Sequence, residues 1–140
     1  MDYTNEMMLV IESKSRNESF ARMVVAGFVA QLDPTIEEIA DVKTAVSEAV
    51  TNSVIHAYNG GDGKITITCK LCSRAIYIEI SDNGVGIENI EKAMEPLYTT
   101  RPDLERSGMG FAFMEAFMDE IEVESVVGKG TTIKMKKQIH

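Results

Sequence analysis

Three groups of residues in this 140-residue chain have the types and spacings that chemistry needs. The first is Glu48, Asn52 and His56, each four positions after the last. On a helix that spacing places them on one face. With nothing above it, such a face is simply solvated; beneath a bound ligand it has work to do. Asn52 would then offer an amide oxygen to Mg²⁺, a hard cation that takes oxygen ligands and keeps several waters. Glu48, one turn earlier, would take a proton from a nucleophile near the metal. The second group is Asp82-Asn83-Gly84-Val85-Gly86. Asn-Gly alone is explained by a turn. With a ligand, two glycines let a flat ring approach the backbone, and Asp82 accepts from an exocyclic amine. No third small residue follows at the spacing of a dinucleotide fingerprint. The third group is Arg106-Ser107-Gly108-Met109-Gly110, at a helix entry. Free N–H groups and the positive end of the helix dipole favour phosphate there, and Arg106 adds a full charge.

These groups need elements to hold them. Met8 to Glu12 reads as a first strand. Ser15 and Glu18 have capping-box spacing and predict a helix that buries Phe20, Met23, Val24, Phe28 and Leu32. Asp33-Pro34 ends it, because a residue before proline is steered out of the helical region. Thr35 and Glu38 form a second capping box. The helix they open should run to about Ala57, with Ile36, Ile39, Val46 and Val50 turned to the core. Ile65, Ile67, Cys69 and Leu71 alternate with polar residues, as do Ile76, Ile78 and Ile80, which predicts two strands joined through Cys72-Ser73-Arg74. The second strand runs straight into Asp82. Glu88 to Met94 has the makings of a short helix. Pro96 to Gly108 has no periodicity, and a loop of that length in a small domain is usually functional. After Gly110 a helix should turn Phe113, Ala116 and Phe117 inward. Ile121, Val123 and Ser125 begin a hairpin that turns at Gly128-Lys129-Gly130 and returns from Thr131 to Lys137. Helices mixed with antiparallel hairpins make an α+β fold.

Composition sets the outer limits. At 15.5 kDa the chain is sized for one domain over 1–140. Hydrophobic residues are 44% and charged residues 26%, an ordinary globular balance. Acids outnumber bases 22 to 14, and the net charge of -8 would repel a phosphate backbone, so no direct nucleic-acid partner is expected. Met23 to Ala30 is too short an apolar run to span a bilayer, and the first residues lack the basic start of an export signal. The expectation is a cytoplasmic domain without membrane contact. Cys69 and Cys72 in one strand would lie roughly 10 Å apart, too far for a disulfide. With His56 and His140 the only histidines, they do not complete a zinc site. Gly128-Lys129-Gly130-Thr131 lacks the longer glycine loop of a P-loop and suits a hairpin turn.

Taken in order, Glu48…Asn52, Asp82-x-Gly84-x-Gly86, a long loop, Gly108-x-Gly110 and Gly130-Thr131 resemble the motif series of the GHKL ATPase superfamily, which includes the gyrase, Hsp90 and MutL ATPases and the histidine-kinase catalytic domains. The likeness spans nearly the whole chain. Within that superfamily, Asn17 to Arg22, Ser47 to Asn52 and Leu104 to Phe111 are similar to the sporulation anti-sigma factors. The resemblance implies a two-layer α/β sandwich, a mixed and mostly antiparallel sheet with helices on one face, and ATP held between sheet, helices and lid. It implies Glu48 as general base and Asn52 as Mg²⁺ ligand. It gives Asp82 the adenine amine, with Thr131 beside it, and has Gly84 and Gly86 make room for the nucleotide. Thr99, Thr100, Arg106, Ser107, Gly108, Met109 and Gly110 would serve the phosphates, with the lid running from about Pro96 to Ser107. It further implies a homodimer that holds a sporulation sigma factor inactive and phosphorylates a serine on an anti-anti-sigma protein. Arg22 matches a sigma-contact position, and Thr51 a position near the anti-anti-sigma docking surface. Two other functions compete: an ATP hydrolase or detached histidine-kinase catalytic domain, and a catalytically silent, nucleotide-gated binding module. Hydrolysis would want a transducer domain. Self-phosphotransfer would want an acceptor histidine outside the motif helix, whereas His56 lies within it and His140 is the last residue.

Overall fold

Alternation of side chains decides the sheet. In a computed structural model that describes residues 4–58, 62–87, 90, 94 and 110–140, strand β2 (Lys64–Cys72) buries Ile65, Ile67, Cys69 and Leu71. Strand β3 (Ala75–Asp82) buries Ile76, Ile78 and Ile80. The two pair antiparallel through the Ser73-Arg74 turn, where Ser73 takes a φ of 55°. β1 (Asn5–Glu12), β4 (Glu120–Val126) and β5 (Gly130–Gln138) complete a five-stranded antiparallel sheet in the order β1-β2-β3-β5-β4. The expected strands are all present, and β1 begins earlier than Met8. Cys69 and Cys72 are both free thiols, and burial pushes the Cys69 thiol up to about 12, so it packs rather than reacts.

Helices α1 (Asn17–Val29), α2 (Ile36–Asn52) and α3 (Gly110–Phe117) pack together, α1 and α3 each against α2, over one face of the sheet. α2 begins with the expected capping box: Thr35 Oγ1 accepts from the Glu38 N–H, and Glu38 accepts from the Thr35 N–H. α1 does not. Arg16 stands at its N-cap in helical conformation, and Asn17 instead ties the entry down by donating from its amide to the Glu12 carbonyl at 2.9 Å. The stripe α1 buries is Ala21, Val25, Phe28 and Val29. Phe20 and Met23 are 51% and 60% exposed, because close packing on α2 selects the small Ala21 face. On α2 the buried stripe is Val42, Ala45, Val46, Ala49 and Val50, and Ile36, in the first turn, stands 89% exposed. On α3 the inward residue is Met114 with Phe111; Phe113 and Phe117 are half-buried and stack on each other at 6.0 Å, and Ala116 is exposed. Lys137 fastens this layer to the sheet: its ammonium donates to the Phe117 carbonyl at 2.9 Å, at the negative end of α3, and pairs with Asp41 of α2 at 3.5 Å.

Past Asn52 the helix widens into a π turn, Ser53–Ala57, closed by Tyr58 N–H donating to the Ser53 carbonyl. The α-helical spacing that aligns Glu48 with Asn52 therefore does not continue to His56. Tyr58 then clamps two backbones: its hydroxyl donates to the Lys64 carbonyl at 2.7 Å and accepts from the Asn83 N–H at 2.8 Å. A Cβ on Gly63 would collide with the Tyr58 ring, so glycine is required there. Tyr58→Phe should destabilise the fold by about 1 kcal/mol, since both bonds go at once while ring packing stays. Denaturant unfolding checks this, together with faster hydrogen exchange at Asn83.

Candidate functional site

The register of β3 carries the site. Positions 76, 78 and 80 face the core, and Asp82 continues that row, with Ile65 of β2 on one side and Thr131 of β5 on the other. A carboxylate thus ends a line of isoleucines, only 6% exposed. Burial at that point needs donors. Ser53 Oγ donates to Oδ2 at 3.0 Å, while the Gly84 and Thr131 N–H groups donate to Oδ1 at 3.0 and 3.2 Å. Desolvation wins over these three bonds and holds the Asp82 carboxyl above the ordinary aspartate value of 3.8.

Residues 83–87 wrap between the end of α2 and the β4–β5 hairpin. Val85 N–H donates to the Ala57 carbonyl at 2.9 Å and Gly128 N–H to the Val85 carbonyl at 2.8 Å. Ile87 N–H donates to Ser125 Oγ at 2.7 Å, and that hydroxyl lies 2.8 Å from Thr131 Oγ1. The two glycines have packing duties here. A Cβ on Gly84 would strike the Ala57 carbonyl, and Gly86, at φ 80°, lies against the Val126 carbonyl.

Asp82, Gly84 and Thr131 are brought into one hydrogen-bonded cluster, with Gly86 in the same loop. Asn52 directly precedes Ser53, so it stands on the same backbone as the Asp82 clamp. Asn52 and Thr51 are half-buried on α2. Glu48, one turn earlier, lines a cleft of about 550 Å³ with Glu18, Arg22, Lys43, Ser47 and Phe113. Arg22, expected on a partner surface, therefore shares a cleft with Glu48. Its guanidinium lies 3.9 Å from Glu18 and donates to Ser19 at 3.3 Å. Gly110 opens α3. Thr99, Thr100, Arg106, Ser107, Gly108 and Met109 lie outside the described residues, as do most of the expected 88–94 helix and the lid.

Sequence reasoning missed Ser53, Ser125 and Tyr58. Ser53 had a signal: it falls three after Val50 and continues, just past the end of α2, the stripe of Val42, Ala45, Val46, Ala49 and Val50, where a buried hydroxyl calls for a polar partner. Ser125 and Tyr58 act through loop contacts that no periodicity marks.

The donor set fits a nucleotide. A carboxylate has about four acceptor sites, so Asp82 with three bonds retains capacity for one further donor. Asn52 offers an amide oxygen of the kind that Mg²⁺ accepts.

Comparison with known proteins agrees with this geometry. A family profile described as the histidine kinase-like ATPase domain matches residues 11–137. The anti-sigma F factor of Clostridium botulinum (Eklund 17B) is 63% identical over 139 residues, covering 99% of this chain and 97% of the relative. That of Thermoanaerobacter sp. X514 is also 63% identical, with the same coverage. The chain belongs to the anti-sigma F factor family, within the histidine kinase-like ATPases. Solved structures share the fold at low identity. The RsbU and RsbW domains of a Mycobacterium tuberculosis protein match with a TM-score of 0.67 at 18% identity, covering 97% of this chain and 32% of that one. The catalytic domain of histidine kinase ThkA matches at 0.60 and 15% identity, covering 99% and 97%. Among the described residues no helix is long and apolar enough to cross a membrane.

Asp82→Asn should leave this anti-sigma F family member at least as stable as the parent at neutral pH. The oxygen of the substituted amide keeps both backbone donors, and its NH₂ turns to donate to Ser53 Oγ, while the buried charge is gone. The folded carboxyl titrates above its unfolded value. Its ionisation therefore destabilises the parent as pH rises from 3.8 through the folded value, and the loss persists above it. Thermal melts across pH should show the parent falling relative to the variant over that window.

Proposed function

We propose that this family member is an ATP-dependent protein serine kinase and anti-sigma factor that holds a sporulation sigma factor inactive and phosphorylates a serine on an anti-anti-sigma partner. The observation that carries the reading is that Glu48 lines an open cleft one helical turn before Asn52, while Asn52 adjoins the Asp82 clamp. A silent module has no need of a base at Glu48.

Asp82 accepts the adenine amine, whereas guanine would present a carbonyl oxygen to the same carboxylate. Asn52 would hold Mg²⁺ through its amide oxygen. When bound, Mg²⁺–ATP supplies an activated terminal phosphoryl group with its charge partly neutralised. Thr99, Thr100, Arg106, Ser107, Gly108, Met109 and Gly110 steady the phosphates. Glu48 takes the proton of the partner's serine hydroxyl as that oxygen bonds the terminal phosphorus and the bond to the leaving ADP oxygen breaks. Arg22 grips carboxylates on the sigma factor, and Thr51 borders the anti-anti-sigma docking surface. β1 is an edge strand with Met8 and Val10 exposed, and a second copy covers it to form a cytoplasmic homodimer.

Glu48→Gln keeps shape and loses the base. ATP should bind it as it binds the parent, and transfer of labelled phosphate to the anti-anti-sigma protein should fall about 10²-fold or more. Transfer at the parent rate would remove Glu48 from the role, whereas no transfer by the parent itself would favour the silent module.

A further inference from the structure

The cleft beside Glu48 contains polar atoms that find no partner among the described residues. Ser47, next to Glu48 on α2, is 8% exposed, yet its hydroxyl finds no hydrogen-bond partner among the described residues. Arg22 Nε, across the cleft on α1, is likewise buried and unpaired among them. Lys43, one turn before Ser47, brings a positive charge to the same wall. A buried donor without a partner is costly, and native folds rarely keep one without a use. Here two such donors line one cavity of about 550 Å³.

Their chemistry defines an occupant. Ser47 Oγ and Arg22 Nε each have a proton to give, Lys43 is cationic, and Glu48 accepts a proton. The matching ligand presents acceptors on both sides of a hydroxyl donor. A nucleotide phosphate offers acceptors and no hydroxyl proton for Glu48. An extended protein segment with a central serine offers both: the hydroxyl for Glu48, and flanking backbone carbonyls for Ser47 and Arg22. We propose that this cleft seats the acceptor segment of the protein substrate, and that Ser47 is a positioning residue that fixes the segment's backbone so that its serine meets Glu48. The inference rests on the kinase reading above and adds where the protein substrate lies and which hydroxyl orients it.

The test is steady-state phosphorylation of the purified anti-anti-sigma protein by the parent and by Ser47→Ala. Losing one hydrogen bond to the substrate should raise the KM for the protein about ten-fold, while the KM for ATP stays at the parent value. The melting temperature should not fall, since the hydroxyl satisfies nothing within the described fold; a purely structural serine would lower it. Lys43→Ala, on a half-buried position of the same wall, should also raise the KM for the protein and keeps the test open should Ser47→Ala fold poorly. An unchanged KM for the protein in both variants overturns the proposal. So does a rise confined to ATP, which would give the cleft to the nucleotide. If the parent itself transfers no phosphate, the kinase reading fails first, and this inference with it.

Discussion

A carboxylate at the end of a row of core isoleucines is the constraint on which the rest of the site depends. Asp82 is placed by strand register, which gives it the same face as Ile76, Ile78 and Ile80. That position is dry, and an acid there must collect donors or stay protonated. Each donor comes from a different element. Ser53 comes from the start of the π turn, Gly84 from the loop after β3, and Thr131 from the beginning of β5. Satisfying one side chain thereby fixes the end of α2, the glycine loop and the last hairpin relative to each other. Burial outweighs the three donors and holds the Asp82 carboxyl above its ordinary value. A further donor from a ligand amine would offset that burial.

The π turn has a physical reason in the same place. An α-helical continuation past Asn52 would carry the chain on at an even pitch. The wider turn instead sets Ser53 Oγ on Asp82 and leaves the Ala57 carbonyl to receive Val85 N–H. Gly84 is needed because that carbonyl occupies the space of a Cβ. The glycines that sequence reasoning assigned to ligand access thus have a prior role in loop packing. A flat ring approaching from outside would meet a backbone already held in place.

Much of the architecture was legible in the chain. Period-two alternation located β2, β3 and the last hairpin, and one capping box located α2. The inward face of α1 was not legible. Phe20 and Met23 looked like core by hydrophobicity, but the close approach of α1 to α2 selects Ala21, and only packing can decide between stripes separated by one residue. The missing Ser15 cap has a similar cause, since Asn17 anchors the helix to the end of β1, a contact outside the local pattern. For the site, motif order named Asp82, Gly84 and Thr131, which meet in space, and Gly86 in the same loop. It did not reveal that Arg22 and Glu48 line one cleft, because that depends on how two helices lie together.

The central claim is that Asp82, buried and already holding three donors, keeps one acceptor position for the amine of adenine. Binding of ATP and of purine riboside triphosphate, which lacks that amine, measures it directly by titration calorimetry on the parent and on Asp82→Asn. The account predicts that the parent binds ATP at least about ten-fold more tightly than the analogue, the value of one charged hydrogen bond, and that the variant does not distinguish them. Equal affinity of the parent for both nucleotides would contradict it.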